Sequence, residues 1–177
     1  MNNAEQMYKY CIDNNFGKGI SHKWAIKHFN IVSNNLIKDE QVKMCFCGLH
    51  NYVSMTKHDG YFAYAITNRR IMIAQKKVFG ENFQSISLDN VNDVTFSSGL
   101  MLGIITIDTF KEKFNVSVDR KTGSSINDHI HEILLIKNEK EDNVNNIDYL
   151  IDYKKLLDSG VISQEEFDLK KKELLNL

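Results

Sequence analysis

Cys45, Cys47 and His50 are the first residues in this chain whose types and spacing invite chemistry. Alternate positions of a strand project both thiols from one face, and a nearby imidazole makes three of the four ligands that a structural zinc takes. There is no second cysteine pair to supply the fourth, so the thiols read as small apolar side chains of a core. His129 and His131 lie two apart in a helical pattern, about 200° from each other around the axis, and cannot share a metal on that element. A Cys/His nucleophile needs partners that meet only in the fold and stays as the residual enzymatic alternative. The chain holds no phosphate-binding glycine loop, no HExxH and no nucleophile elbow. The expectation is a protein with no catalytic residue, no metal and no cofactor.

Positive charge is the second chemical feature. Arg69, Arg70, Lys76 and Lys77 bracket one hairpin. On one sheet face they would grip an anionic headgroup or a phosphorylated peptide; otherwise they are outward strand residues that blunt an edge and keep the protein soluble.

The elements that position these residues follow from periodicity. Ala4, Met7, Tyr8 and Cys11 mark one helical face, stopped by Asn14, Asn15 and Gly17. Ser21 can cap a second helix with Ala25, Phe29, Val32 and Leu36 on its inner face, and Trp24 and His28 stand four apart, where their rings can touch. From Glu40 the period becomes alternating. "VKMCFCGL" puts Val42, Met44 and Phe46 on one face and Lys43, Cys45 and Cys47 on the other. "YFAYAIT" and "RRIMIAQKK" join around Thr67, Asn68 and Arg69, with Asn68 suited to a left-handed position. "FQSISL", "VNDVTF", "LGIITIDTF" and "KFNVSV" follow at short spacing, with turns at Gly80, Asp89 with Asn90, Ser97 to Gly99, and Lys111 with Glu112. About seven strands without long helical interruptions predict an antiparallel sandwich or barrel. Ile126, Ile130, Ile133 and Leu134 then return to helical spacing, so one helix closes the sheet.

Lys137 to Asn146 is polar and aperiodic and reads as a flexible linker. Beyond it, Leu150, Tyr153 and Leu157 form a stripe, Gly160 ends that helix, and Ser163 with Glu166 makes a capping box spanned by the Ile162–Phe167 staple, with Leu174 continuing the stripe. A hairpin of about thirty residues is below the ~40 at which domains fold unaided. The stripe Leu150, Tyr153, Leu157, Ile162, Phe167 and Leu174 must therefore cover its own barrel, a second copy or a different protein. Of these, self-association is the favoured reading. A DNA-reading helix pair would be basic, whereas Asp148 to Leu177 carries seven acidic and five basic residues, which argues against nucleic acid.

The order of elements carries a resemblance. "GLHNY", "FAYAITNRRIMIAQKK", "FQSISLDNVNDVTF" and "GIITIDTFKEKFNV" resemble a bacterial pleckstrin-homology-like domain of the YokE-like type, and "DSGVIS", "EEF" and "KKKELL" resemble the short C-terminal domain SHOCT. This implies an α+β chain: a two-helix extension over 1–37, a PH-like antiparallel barrel with a capping helix over 38–137, the linker over 138–146, and a SHOCT hairpin over 147–177. It also implies an interaction or scaffold module that forms homo-oligomers, with a protein partner as the variant of that reading. Eukaryotic relatives bind phosphoinositides through a basic first loop, but "HNYVSMTKHDGY" offers little beyond Lys57 and His58. A peripheral membrane sensor using the basic hairpin is the alternative from another class. The occurrence of such domains in low-GC bacteria and prophages adds a third: a phage or stress regulator binding a host protein or nucleic acid.

Composition bounds these readings. Net charge is −1, hydrophobic content 42% and charged content 25%, so neither disorder nor a long-range field is implied. No apolar run approaches the ~20 residues of a membrane span. "MNNAEQMYKYC" lacks the regions of a signal peptide, and three cysteines cannot all pair. The expected location is cytoplasmic.

Overall fold

The structure, a computed structural model, describes residues 1–17 and 19–175, with the side chains of 138–145 outside the described residues. Helix α1 (Ala4–Asp13) begins where the Asn3 side chain accepts from the Gln6 N–H, while Gln6 Oε1 accepts from the Asn2 N–H. Two donors that a helix start leaves orphaned are thereby satisfied. After its Asn14 cap the chain turns at Asn15, with φ 59°. Asparagine tolerates that left-handed conformation because its short side chain bonds locally. Helix α2 (His22–Asn34) starts on the expected Ser21, whose Oγ accepts from the Trp24 N–H. Trp24 and His28 stack with centroids 3.6 Å apart, and His28 Nδ1 donates to the Trp24 carbonyl.

Seven strands follow: β1 (Val42–His50), β2 (Tyr61–Thr67), β3 (Arg70–Lys76), β4 (Glu81–Ser87), β5 (Val91–Ser98), β6 (Leu102–Thr109) and β7 (Lys113–Asp119). They form one antiparallel sheet in the order β4-β3-β2-β1-β7-β6-β5. β4 and β5 are its edges, so the sheet curls without closing. Gln84 of β4 bonds to Glu112 of the β6–β7 turn.

Strands β1 to β3 are buried on both faces. Their concave side carries large residues, including Phe46, Tyr64, Ile66, Ile71 and Ile73, all essentially without exposure. The other side is small: Cys45, Cys47, Ala63, Ala65 and Ala74, with Met72. Small side chains let helices lie close, and Met7, Cys11, Phe29 and Val32 of α1 and α2 fill that surface. The residues 1–37 that read as an extension are thus a second layer of the core.

Helix α3 (Arg120–Asp158) begins directly after β7. Gly123 permits its first turn to meet the Phe96 ring, since a Cβ there would lie 2.3 Å from Cε2. His131 Nε2 donates to the Val94 carbonyl at 2.8 Å, and Ile126 and Ile130 are buried, as the closing helix requires.

Two local readings are corrected. A bulge between Val42 and Met44 shifts the register, so Val42 joins the face of Cys45 and Cys47 against the helices and leaves that of Met44 and Phe46. Asn68 does not take a left-handed backbone; its Oδ1 accepts from the Gln41 N–H, and Thr67 Oγ1 makes the turn by accepting from the N–H groups of Arg69 and Arg70. Helix α3 runs from Arg120 to Asp158. No proline or glycine stands between Ser124 and Asp158 to stop it. Most of the linker reading falls on 138–145, whose side chains lie outside the described residues.

Met1–Ile133 and Leu134–Leu177 form two compact units. In the second, Gly160 (φ 72°) reverses the chain, its N–H bonding to the Leu157 carbonyl and that of Val161 to the Leu156 carbonyl. Helix α4 (Gln164–Leu175) then starts on the expected box: Ser163 N–H to Glu166 Oε2 at 2.8 Å and Glu166 N–H to Ser163 Oγ at 3.2 Å. Among the described residues no helix is long and apolar enough to cross a membrane.

If α1 and α2 are structural, truncating their largest anchor must unfold the sheet. Phe29→Ala, at a site with no exposure, is expected to cost about 3–5 kcal/mol, read as a lowered urea midpoint at unchanged slope.

Candidate functional site

The fold separates the residues that first suggested a metal. Cys45 and Cys47 face the helices, where Cys11 Sγ lies 3.7 Å from Cys45 Sγ and Cys45 donates to the Met7 carbonyl. Burial pushes the thiols of Cys45 and Cys47 up, and their hydrogen bonds hold that of Cys11 lower. His50 projects to the opposite side of the sheet, its Nδ1 bonded to the Tyr64 hydroxyl and its ring 4.6 Å from that of Phe62. Burial lowers its pKa. His129 Nδ1 is held by the Ser125 carbonyl, and His131 by Val94. Among the described residues no group of His, Cys, Asp and Glu has metal-binding geometry.

The basic hairpin does not act as one patch. Arg70 turns inward: Nε and Nη2 each meet one oxygen of Glu40 at 2.9 Å, and Nη2 also donates to the Asn35 carbonyl at 2.8 Å. Glu40 is buried and also accepts from Thr67 Oγ1 and the Ile37 N–H. Burial by itself raises this carboxyl's pKa, but the hydrogen bonds from Arg70, Ile37 and Thr67 prevail and hold it below the usual carboxylate value. Thr67, Arg70 and Glu40 therefore tie α2, the start of β1 and the β2–β3 turn together. Lys76 pairs with Glu81 at 3.2 Å across the hairpin. Arg69 and Lys77 are exposed.

Sequence reasoning missed what lies between Lys77 and Gly80. Val78 and Phe79 are 92% and 90% exposed at the β3–β4 tip, beside Lys77. The signal was available: two consecutive apolar residues inside a turn marked by glycine. Glu40 was missed because its partner is thirty positions away.

In the C-terminal unit the expected stripe is legible in burial. Leu150, Tyr153, Leu157, Ile162, Phe167 and Leu174 are all half-buried, and among the described residues of this unit none is fully buried. Lys154 Nζ sits 6.0 Å from the Phe167 ring centroid. At 100° per residue, Ile147 and Ile151 flank the stripe on one side and Tyr149 and Leu156 on the other, and all four are exposed.

Comparison with known proteins gives two family matches. The model described as Bacterial PH domain matches residues 36–132, and that of the Short C-terminal domain, SHOCT, matches 150–175. Among solved structures the chain is similar to the Vps36 N-terminal PH domain, at 17% identity over 56% of this chain and 82% of that one, with a TM-score of 0.45. It is also similar to a structure of the Vav1 exchange factor with its PH and C1 domains, at 4% identity over 76% of this chain and 32% of that one, with a TM-score of 0.38. None of the curated proteins matches.

Arg70→Ala, which strands a buried carboxylate, is expected to lose about 3–5 kcal/mol, and Arg70→Lys to rescue it poorly because one ammonium cannot make the paired contact. The depressed Glu40 pKa fixes the sign with pH: its contribution is complete above the unfolded carboxyl's value of about 4.3 and is lost as pH falls through the folded one. Urea titrations from pH 7 to 3 should therefore fall less steeply for Glu40→Gln than for the parent.

Proposed function

The chain belongs to the Bacterial PH domain family, whose model spans residues 36–132, and from that premise we propose that it is a non-enzymatic interaction module that assembles through its C-terminal hairpin. The family of the tail supports a contact role, and PH and SHOCT domains are typically binding or scaffold units. One observation carries the finer reading: Ile147, Tyr149, Ile151 and Leu156 extend the half-buried stripe on both sides without cover inside the hairpin.

A second copy is the occupant favoured by charge. Lys154 pairs with Asp158, Lys155 with Asp152 and Lys170 with Glu173, so both signs are interspersed along the helices. Such a surface of mixed sign meets itself across a two-fold axis against only the small repulsion left by seven acidic and five basic residues. Completing the burial of about half of each flanking side chain contributes roughly 1 kcal/mol apiece, and both copies contribute. The sum is of the order of the ~4–15 kcal/mol cost of association, so assembly depends on concentration.

A membrane surface is the second reading, favoured by Val78 and Phe79 standing proud beside Lys77. Partial insertion of two such side chains plus ~1 kcal/mol per lysine near anionic lipid is weak for one copy, and several copies multiply it.

Light scattering on a sizing column, at several concentrations, should give the full chain a multiple of its 20.5 kDa monomer mass. The Ile147→Glu/Ile151→Glu double variant and a version ending at Asn143 should run as monomers with unchanged circular dichroism in the PH-like unit. A monomeric full chain across the series would refute self-assembly. Flotation with vesicles containing phosphatidylserine should carry the parent and not Val78→Ser/Phe79→Ser; failure of the parent to float removes the second reading.

A further inference from the structure

The sheet is nearly split where β1 meets β7. Leu49 with Ser117 and His50 with Val116 pair across that seam, and just beyond them the Tyr52 N–H donates to the Asn115 carbonyl at 3.0 Å. Further back along β1 the Cys47 N–H is taken by the Phe16 carbonyl at 2.9 Å, so the chain leaving α1 lies where strand pairing would continue. Beside it a cavity of about 140 Å³ remains. Phe16, Leu102 and Ile126 give it an apolar wall, and Asn15, Ser117 and Asp119 a polar one. Among the described residues that line it Asp119 alone is charged, and its Oδ1 accepts from the Lys121 N–H at 2.9 Å.

Ser117 is the telling member. It is 2% exposed, and its Oγ has no hydrogen-bond partner among the described residues. Register shows where that hydroxyl points: Ser117 pairs with Leu49, and Asp119, two residues on, pairs with Leu102. Paired residues and alternate residues share a face, and Leu49, Leu102 and Asp119 all line the cavity. A buried hydroxyl without a partner gains from a donor or acceptor brought to it.

We infer that this cavity binds a small amphiphile: an apolar body about the size of one aromatic ring, with an uncharged or cationic hydrogen-bonding head directed at Ser117 and Asp119. Anions are disfavoured because, among the described residues, a carboxylate and no cation lines the space. The site is built by the turn after α1, by β1, β2, β6 and β7 and by the first turns of α3, on the sheet face that carries Cys47. An occupant would bridge the end of α1 to β7 where the ladder itself does not.

The test is a titration of the full chain with three probes of one size, benzylamine, benzyl alcohol and benzoate, followed by amide correlation spectra. Benzylamine and benzyl alcohol should shift the amides of Gly48, Ser117 and Thr122 saturably, and benzoate should not. Ser117→Ala should weaken benzylamine about 2- to 10-fold, the loss expected for one hydrogen bond, with the rest of the spectrum kept. Leu102→Trp, which fills the space from a half-buried position, should abolish both responses. Unmoved amides with all probes, benzoate binding as tightly as benzylamine, or parent-like affinity in either variant would overturn the assignment.

Discussion

Three adjacent strands with apolar side chains on both faces need two covers, and the architecture of the PH-like unit answers that demand. The concave face of β1 to β3 is covered by the curl of the sheet itself and by α3. The small-residue face, with Cys45, Cys47, Ala63, Ala65 and Ala74, is covered by α1 and α2. Burial on both faces is the habit of strands in layered α/β proteins, and here it is imposed on an antiparallel sheet. The Glu40–Arg70 pair sits at the point where the chain passes from the covering helix into the first strand, and it holds α2 to the β2–β3 turn.

That arrangement explains why the chemistry suggested by Cys45, Cys47 and His50 is not assembled. Odd positions of β1 look toward the helices and even ones into the curl, so the thiols and the imidazole are on opposite sides of one sheet. The thiols serve as the small residues a close helix needs. The basic hairpin is divided in the same way, with Arg70 drawn into the scaffold while Arg69 and Lys77 stay in solvent.

Signals confined to one turn of chain were readable in the sequence. Ser21, the Trp24–His28 stack, Gly160 and the Ser163–Glu166 box each depend on residues at most a few positions apart, and each forms. The alternating runs gave the strands and the antiparallel fold class. What escaped depends on distant partners or on counting. Glu40 meets Arg70 across thirty residues, a bulge moved Val42 to the other face, and Asn68 was drawn from a turn role by Gln41. The Ser117 cavity was invisible for the same reason, being made by six segments of chain none of which signals a gap.

The thin ladder between β1 and β7 also sets how this sheet bears load. A strand pair fastened by many hydrogen bonds in shear resists pulling collectively, whereas one joined at Leu49–Ser117, His50–Val116 and the Tyr52–Asn115 bond parts in sequence, like a zipper with three teeth. Tension applied across β1 and β7 therefore opens the sheet there before it disturbs β1–β2 or β6–β7, each paired along most of its length. The yielding line passes beside Phe16, whose carbonyl takes the Cys47 N–H that β7 leaves free, so the turn after α1 guards the open flank of β1 at the weakest joint of the sheet.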